Sequence, residues 1–159
     1  MYERIITDTS REENNKLFLD YVRGYLDLKL HYISNISNMA AIIHDFFDDI
    51  SWVGFYLYDG KKLYLGPFQG KPACVEIELG KGVCGTSATK NQTILVPNVL
   101  EFEGHIACES KTMSEIVVPI YKNNKLFGVL DIDSHSLNRF DETDQKTLES
   151  AVNLLVDIL

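Results

Sequence analysis

Glu115-Ile116-Val117-Val118-Pro119-Ile120-Tyr121-Lys122-Asn123-Asn124-Lys125-Leu126-Phe127-Gly128-Val129-Leu130-Asp131-Ile132-Asp133 is the stretch that decides the fold. Two runs rich in branched and aromatic residues, 115–121 and 126–133, flank Asn123-Asn124, a dipeptide that suits a tight turn. The spacing predicts a β-hairpin. A period of two then puts Asp131 and Asp133 on one face of the second strand and Leu130 and Ile132 on the other. Glu115 joins the two acids if the strands pair through that turn.

Working outward, Trp52-Val53-Gly54-Phe55-Tyr56-Leu57-Tyr58 reads as a strand, and Asp59-Gly60 as the turn leading to Leu63-Tyr64-Leu65. Trp52 and Tyr56, four apart, share a face, with Phe55 and Leu57 on the other. Residues 75–79 and 93–96 are further strand candidates, and 82–89 is a short helix entered from a glycine turn. No convincing period runs from 97 to 113, a length of loop that usually carries function. On the N-terminal side, Leu17, Tyr21, Tyr25 and Leu28, then Ile33, Ile36, Met39, Ala40, Ile43, Phe46 and Phe47, recur at helical spacing. At the other end Asp141 is a candidate N-cap, with Asp144 three residues on and a stripe of Leu148, Val152, Leu155 and Leu159. The expected organisation is one α+β domain over 1–159: helices in about 12–48, sheet and loops in about 51–134, and a closing helix in about 141–159.

The bulk numbers narrow the function classes. A chain of 159 residues, 45% hydrophobic and 24% charged, is near the globular average and long enough for a substantial core. A formal charge of −8 argues against a nucleic-acid partner. No apolar run approaches a membrane span. Met1-Tyr2-Glu3-Arg4 lacks the basic start and apolar run of a signal peptide, so a cytoplasmic location with reduced thiols is expected.

In that setting three clustered cysteines, Cys74, Cys84 and Cys108, point to reactive or metal-binding thiols. Cys84 lies between glycines at a predicted helix start, where thiolate is favoured. Cys108 follows His105 by three residues, within reach of an imidazole. The plain alternative is a small buried hydrophobe, which Ala73-Cys74-Val75, at a strand entrance, suits best. Zinc ligands usually come in close pairs, whereas these thiols lie ten and twenty-four residues apart, so no metal site is expected.

Glu115, Asp131 and Asp133 are either a solvent-facing acidic edge or a half-buried group in which one acid keeps its proton at neutral pH. Trp52 and Tyr56 are either core packing or an apolar wall for a ligand with a methyl or thioether group. A reactive thiol, proton-donating acids and an aromatic wall together fit sulfoxide reduction.

The chain resembles the free methionine-(R)-sulfoxide reductases, which are built on a single GAF domain. The matching stretches are Gly70-Lys71-Pro72-Ala73-Cys74, Gly80-Lys81-Gly82-Val83-Cys84-Gly85-Thr86, Gly104-His105-Ile106-Ala107-Cys108, Ser114-Glu115-Ile116-Val117-Val118-Pro119 and Gly128-Val129-Leu130-Asp131-Ile132-Asp133-Ser134. Gly-Val-Leu-Asp-Ile-Asp is shared loosely among GAF domains; the three thiols at their spacing are more specific. The resemblance implies a central antiparallel sheet of about six strands flanked by helices. It implies that Cys108 attacks the sulfoxide, that Cys84 condenses with the resulting sulfenic acid to a disulfide, and that Cys74 is a secondary resolving thiol. Glu115, Asp131 and Asp133 would bind substrate and assist at its oxygen, with Trp52 and Tyr56 around its methyl end. Free methionine-(R)-sulfoxide and thioredoxin are the implied partners, with no cofactor and no metal. Both a homodimer and an acidic monomer fit. The rival reading is a non-catalytic GAF module that binds a small molecule or senses thiol redox state. A ligand sensor needs no trio of thiols, and a redox sensor requires neither the acids nor Trp52.

Overall fold

The computed structural model describes residues 10–106 and 108–159; Met1-Tyr2-Glu3-Arg4 and Ala107 of the loop motif lie outside the described residues. The hairpin expected around Asn123-Asn124 forms as β5 (Ser114–Lys122) and β6 (Lys125–Ser134). Asn123 and Asn124 take positive φ of 51° and 60°, the left-handed pair that a two-residue turn demands and that Asn tolerates. β1 (Trp52–Tyr58) and β2 (Lys62–Gln69) form the second hairpin, whose turn is closed by the Asp59 carboxylate accepting from the Lys61 and Lys62 amides.

Two short strands, β3 (Glu76–Glu78) and β4 (Ile94–Val96), take the edges of a six-stranded antiparallel sheet of order β3-β2-β1-β6-β5-β4. The central pair, β1 and β6, comes very close at Gly128, where a Cβ would sit 2.2 Å from the Tyr56 carbonyl oxygen.

α1 (Arg11–Tyr25), α2 (Tyr32–Phe46) and α4 (Glu142–Ile158) pack on one face of the sheet. Val53, Phe55, Ile116, Val118, Ile120, Leu130 and Ile132 meet Phe18, Met39, Ile43, Leu148 and Val152 there, all buried. Each such side chain contributes roughly 1.5–3 kcal/mol on leaving water. α4 begins with a reciprocal cap between Asp141 and Asp144, as its sequence suggested. The helical stripe overreached at Leu28, which is 69% exposed. The Asp27 carboxylate accepts from the Lys29 amide, and Asn35 exchanges hydrogen bonds with the Asp27 backbone, so a side-chain-closed turn ends α1 instead.

The opposite face is covered more thinly, by α3 (Gly82–Lys90) and two loops. Segment 97–113 contains one turn of 3₁₀ helix, Val99–Glu101, and is tied at its base by Val99 donating to the Met113 carbonyl and Met113 to that of Ser134. Strand alternation therefore sends Glu115 and Val117 of β5 and Val129, Asp131 and Asp133 of β6, all three acids among them, toward this thin layer. Among the described residues no helix is long and apolar enough to cross a membrane.

Candidate active site

Register assembles the site. Asp133 pairs with Trp52 on one side and Glu115 on the other, and Asp131 sits in the next row between Gly54 and Val117. Tyr56 lies one row further along β1, opposite Val129. At Gly54 the missing side chain matters, because a Cβ would fall 2.4 Å from the Trp52 ring. The indole stacks on Tyr56 and on Phe68 of β2, with centroids 5.9 and 5.4 Å apart. Both polar ends tie the wall to the loop that follows β2: Trp52 Nε1 donates to the Lys71 carbonyl at 3.0 Å and Tyr56 Oη to the Cys74 carbonyl at 3.0 Å.

Trp52, Tyr56, Cys84, Cys108, Glu115, Asp131 and Asp133 line one pocket with a cavity of about 40 Å³. Cys74 closes its mouth through a disulfide to Cys108, Cα to Cα 5.4 Å across a separation of 34 residues. Cys84 is free and buried. Its Sγ lies within 4.8 Å of carboxylate oxygens of both Glu115 and Asp131. His105 enters from the loop, its Nδ1 3.8 Å from Glu115 Oε2.

Comparison with known proteins places this arrangement. The GAF domain family profile matches residues 36–159. The chain is 44% identical over 128 residues to the free methionine-R-sulfoxide reductase of Escherichia coli K12, covering 80% of this chain and 78% of that protein. The structure of fRMsr of Staphylococcus aureus in complex with substrate superposes with a TM-score of 0.87 at 46% identity, covering 92% of this chain and 95% of that one. Free methionine-R-sulfoxide reductase from Neisseria meningitidis in complex with its substrate gives 0.92 at 35%, covering 99% and 95%. The chain belongs to the free methionine-R-sulfoxide reductase family of GAF domains.

In this GAF domain the disulfide takes the alternative among the pairings that the resemblance implied, in which Cys74 and not Cys84 resolves. Cys108 is joined to Cys74, not to Cys84. Cys84 faces inward from the first turn of α3, whereas the loop after β2 carries Cys74 out to Cys108 of segment 97–113. The expectation of an activated Cys84 thiolate fails as well. Burial, then the charges of Asp131 and Glu115, push its thiol well above the usual range, and this outweighs the helix terminus.

The acids form a graded set. Burial and the charges of Asp131 and Asp133 raise Glu115 well above the carboxylate range. Burial and Asp131 do the same for Asp133. Burial raises Asp131 only to about 6, because hydrogen bonds from Cys84 and Glu115 hold it down. At neutral pH the arrangement is a proton-bearing Glu115 beside an ionised Asp131. Burial lowers His105, so its ring is neutral there.

Asp131 Oδ1 and His105 Nδ1 are buried polar atoms with no hydrogen-bond partner among the described residues, and both border the cavity. Phe68 and Lys71 were not singled out from sequence. Alternation along β2 flags Phe68, but nothing local flags the Lys71 carbonyl as the acceptor for an indole.

Proposed function

We propose that this protein reduces free L-methionine-(R)-sulfoxide to L-methionine, and that thioredoxin returns it to the dithiol form in the cytoplasm. The observation that carries the reading is the Cys74–Cys108 disulfide at the mouth of a pocket with an aromatic wall and buried acids. A single domain spanning the chain is enough for the reaction.

The reduced Cys108 attacks the sulfoxide sulfur while Glu115, holding a proton, donates to the sulfoxide oxygen. The oxygen ends on Cys108 as a sulfenic acid, and the electron pair left on sulfur gives methionine. Cys74 then attacks the sulfenic sulfur, the S–S bond forms, and the hydroxyl leaves as water with the Cys74 proton. A dithiol reductant supplies the two electrons that open the disulfide.

Asp131, the ionised acid, holds the substrate ammonium, and Asp133 beside it offers its carbonyl oxygen as a further acceptor. Its carboxylate faces the first turn of α3, whose N-cap, Lys81, contributes no side-chain acceptor and leaves the turn's amides to an anion. The methyl end packs on Trp52 and Tyr56. A cavity of about 40 Å³ holds a few waters and not an amino acid, so the oxidised form is closed to substrate. Breaking the disulfide frees the two loops to open. With both ends of the amino acid held inside, a methionine sulfoxide within a peptide does not fit.

The reading is tested by following NADPH consumption with thioredoxin, thioredoxin reductase and each sulfoxide diastereomer. Consumption with the (R) form alone is expected. No consumption, or equal consumption of both diastereomers, would overturn it, the first outcome leaving a ligand-binding or redox-sensing module.

A further inference from the structure

We propose that the chain in its Cys74–Cys108 disulfide form carries a binding site for a thiophilic divalent cation of the zinc type, built from Cys84, Glu115 and Asp131. The three side chains each offer one ligand atom, all within 4.8 Å of one another, and each residue is at least nine-tenths buried. Two further atoms point to a missing partner. Asp131 Oδ1, on a residue 7% exposed, and His105 Nδ1 are buried and unpaired among the described residues, and His105 Nδ1 stands 3.8 Å from Glu115 Oε2. Among the described residues no lysine or arginine pairs with Glu115, Asp131 or Asp133.

One sulfur and two carboxylate oxygens make a three-ligand set with an open fourth position, which suits zinc and not the six or more oxygens that calcium or magnesium takes. Ligand distances of about 2.0–2.3 Å require the groups to close in by a modest amount. The cavity of about 40 Å³ accommodates one ion. Binding displaces the Cys84 and Glu115 protons to solvent and leaves a thiolate and two carboxylates on the metal, with no change of oxidation state. The ligands come from α3, β5 and β6, which is why no paired spacing announces the site in the sequence.

The site is independent of the reductase reading, because its test uses no sulfoxide. With Cys74 and Cys108 joined, Cys84 is the chain's single thiol, so a metal–thiolate signal has one source. Adding Co²⁺ to the oxidised chain is expected to give a thiolate-to-cobalt charge-transfer band that saturates at one ion per chain and is displaced by Zn²⁺. The band should vanish in Cys84→Ser, and Zn²⁺ affinity should fall at least about tenfold in Asp131→Asn, in variants whose near-ultraviolet circular dichroism matches the parent. No band in the folded parent, a band that survives in Cys84→Ser, or unchanged affinity in Asp131→Asn would overturn the site. A variant-free arm measures Cys84 alkylation by mass. Zn²⁺ should slow it, and equal rates with and without the ion would count against the proposal.

Discussion

Asp131 is held between Gly54 and Val117, with the Cys84 thiol and Glu115 carboxyl directed at it. Its charge is kept in a buried place, and stability follows from that. A carboxyl whose folded pKa lies above its unfolded value contributes its full stability below the unfolded pKa and loses it as pH rises through the folded one. For Asp131 the window runs from the ordinary carboxylate value to about 6, and Glu115 and Asp133 extend it upward. His105 acts in the opposite sense, so a difference between variant and parent is the cleaner measure. Thermal melting should show Asp131→Asn gaining more over the parent at about pH 8 than at about pH 5. A gain that is equal at both, or larger in acid, would contradict the burial argument. The thiols give a second residue-scale expectation, read as methionine released per chain. Cys108→Ser should release none, and Cys74→Ser about one before stopping. Cys84→Ser should keep cycling with thioredoxin, since its thiol lies outside the disulfide. A Cys84→Ser variant that halts after the first turnover would return the resolving role to Cys84.

Among elements, the strongly local ones were readable in advance. The Asn123-Asn124 turn, the Asp59-Gly60 turn and the Asp141 cap each depend on residues a few positions apart, so their chemistry is written in the chain. The Asp141 side chain accepts from the Thr143 and Asp144 amides and also receives Arg11 from α1. Asp141→Ala should therefore cost about 1 kcal/mol through the lost cap. The Arg11 pair adds little because both partners are half exposed. Urea denaturation checks this, and a loss near zero would mean that α4 is held by packing alone. Less local features were harder to read. β3 shrank to three residues because its paired register with β2 covers Glu76–Glu78, while Val75 keeps a single bond, its carbonyl accepting from the Leu65 amide. Leu28 followed the helical period yet lies in a turn that the Asp27 and Asn35 side chains close. Which cysteine meets Cys108 depends on two loops that the sheet brings together, and glycine flanks around Cys84 carry no information about that.

At the scale of the molecule, the sheet divides the labour. One face is buried under three helices and supplies the core; the other, under one short helix and two loops, collects the acids, the aromatic wall and the thiols. That division was legible in the sequence, since the alternation puts Asp131 and Asp133 on one side of β6 and Leu130 and Ile132 on the other, with Glu115 joining the acids through the hairpin. The depth of the acids was not, because burial depends on α3 and the loops arriving from elsewhere in the chain. The central claim is that free methionine-(R)-sulfoxide is reduced by Cys108 and that Cys74 resolves the product. Its most direct test gives the fully reduced chain an equivalent of the sulfoxide, quantifies methionine and maps the cysteines by alkylation and peptide mass. The account predicts about one methionine per chain, Cys74 linked to Cys108, and Cys84 still a free thiol. No methionine, or a disulfide that includes Cys84, would contradict it.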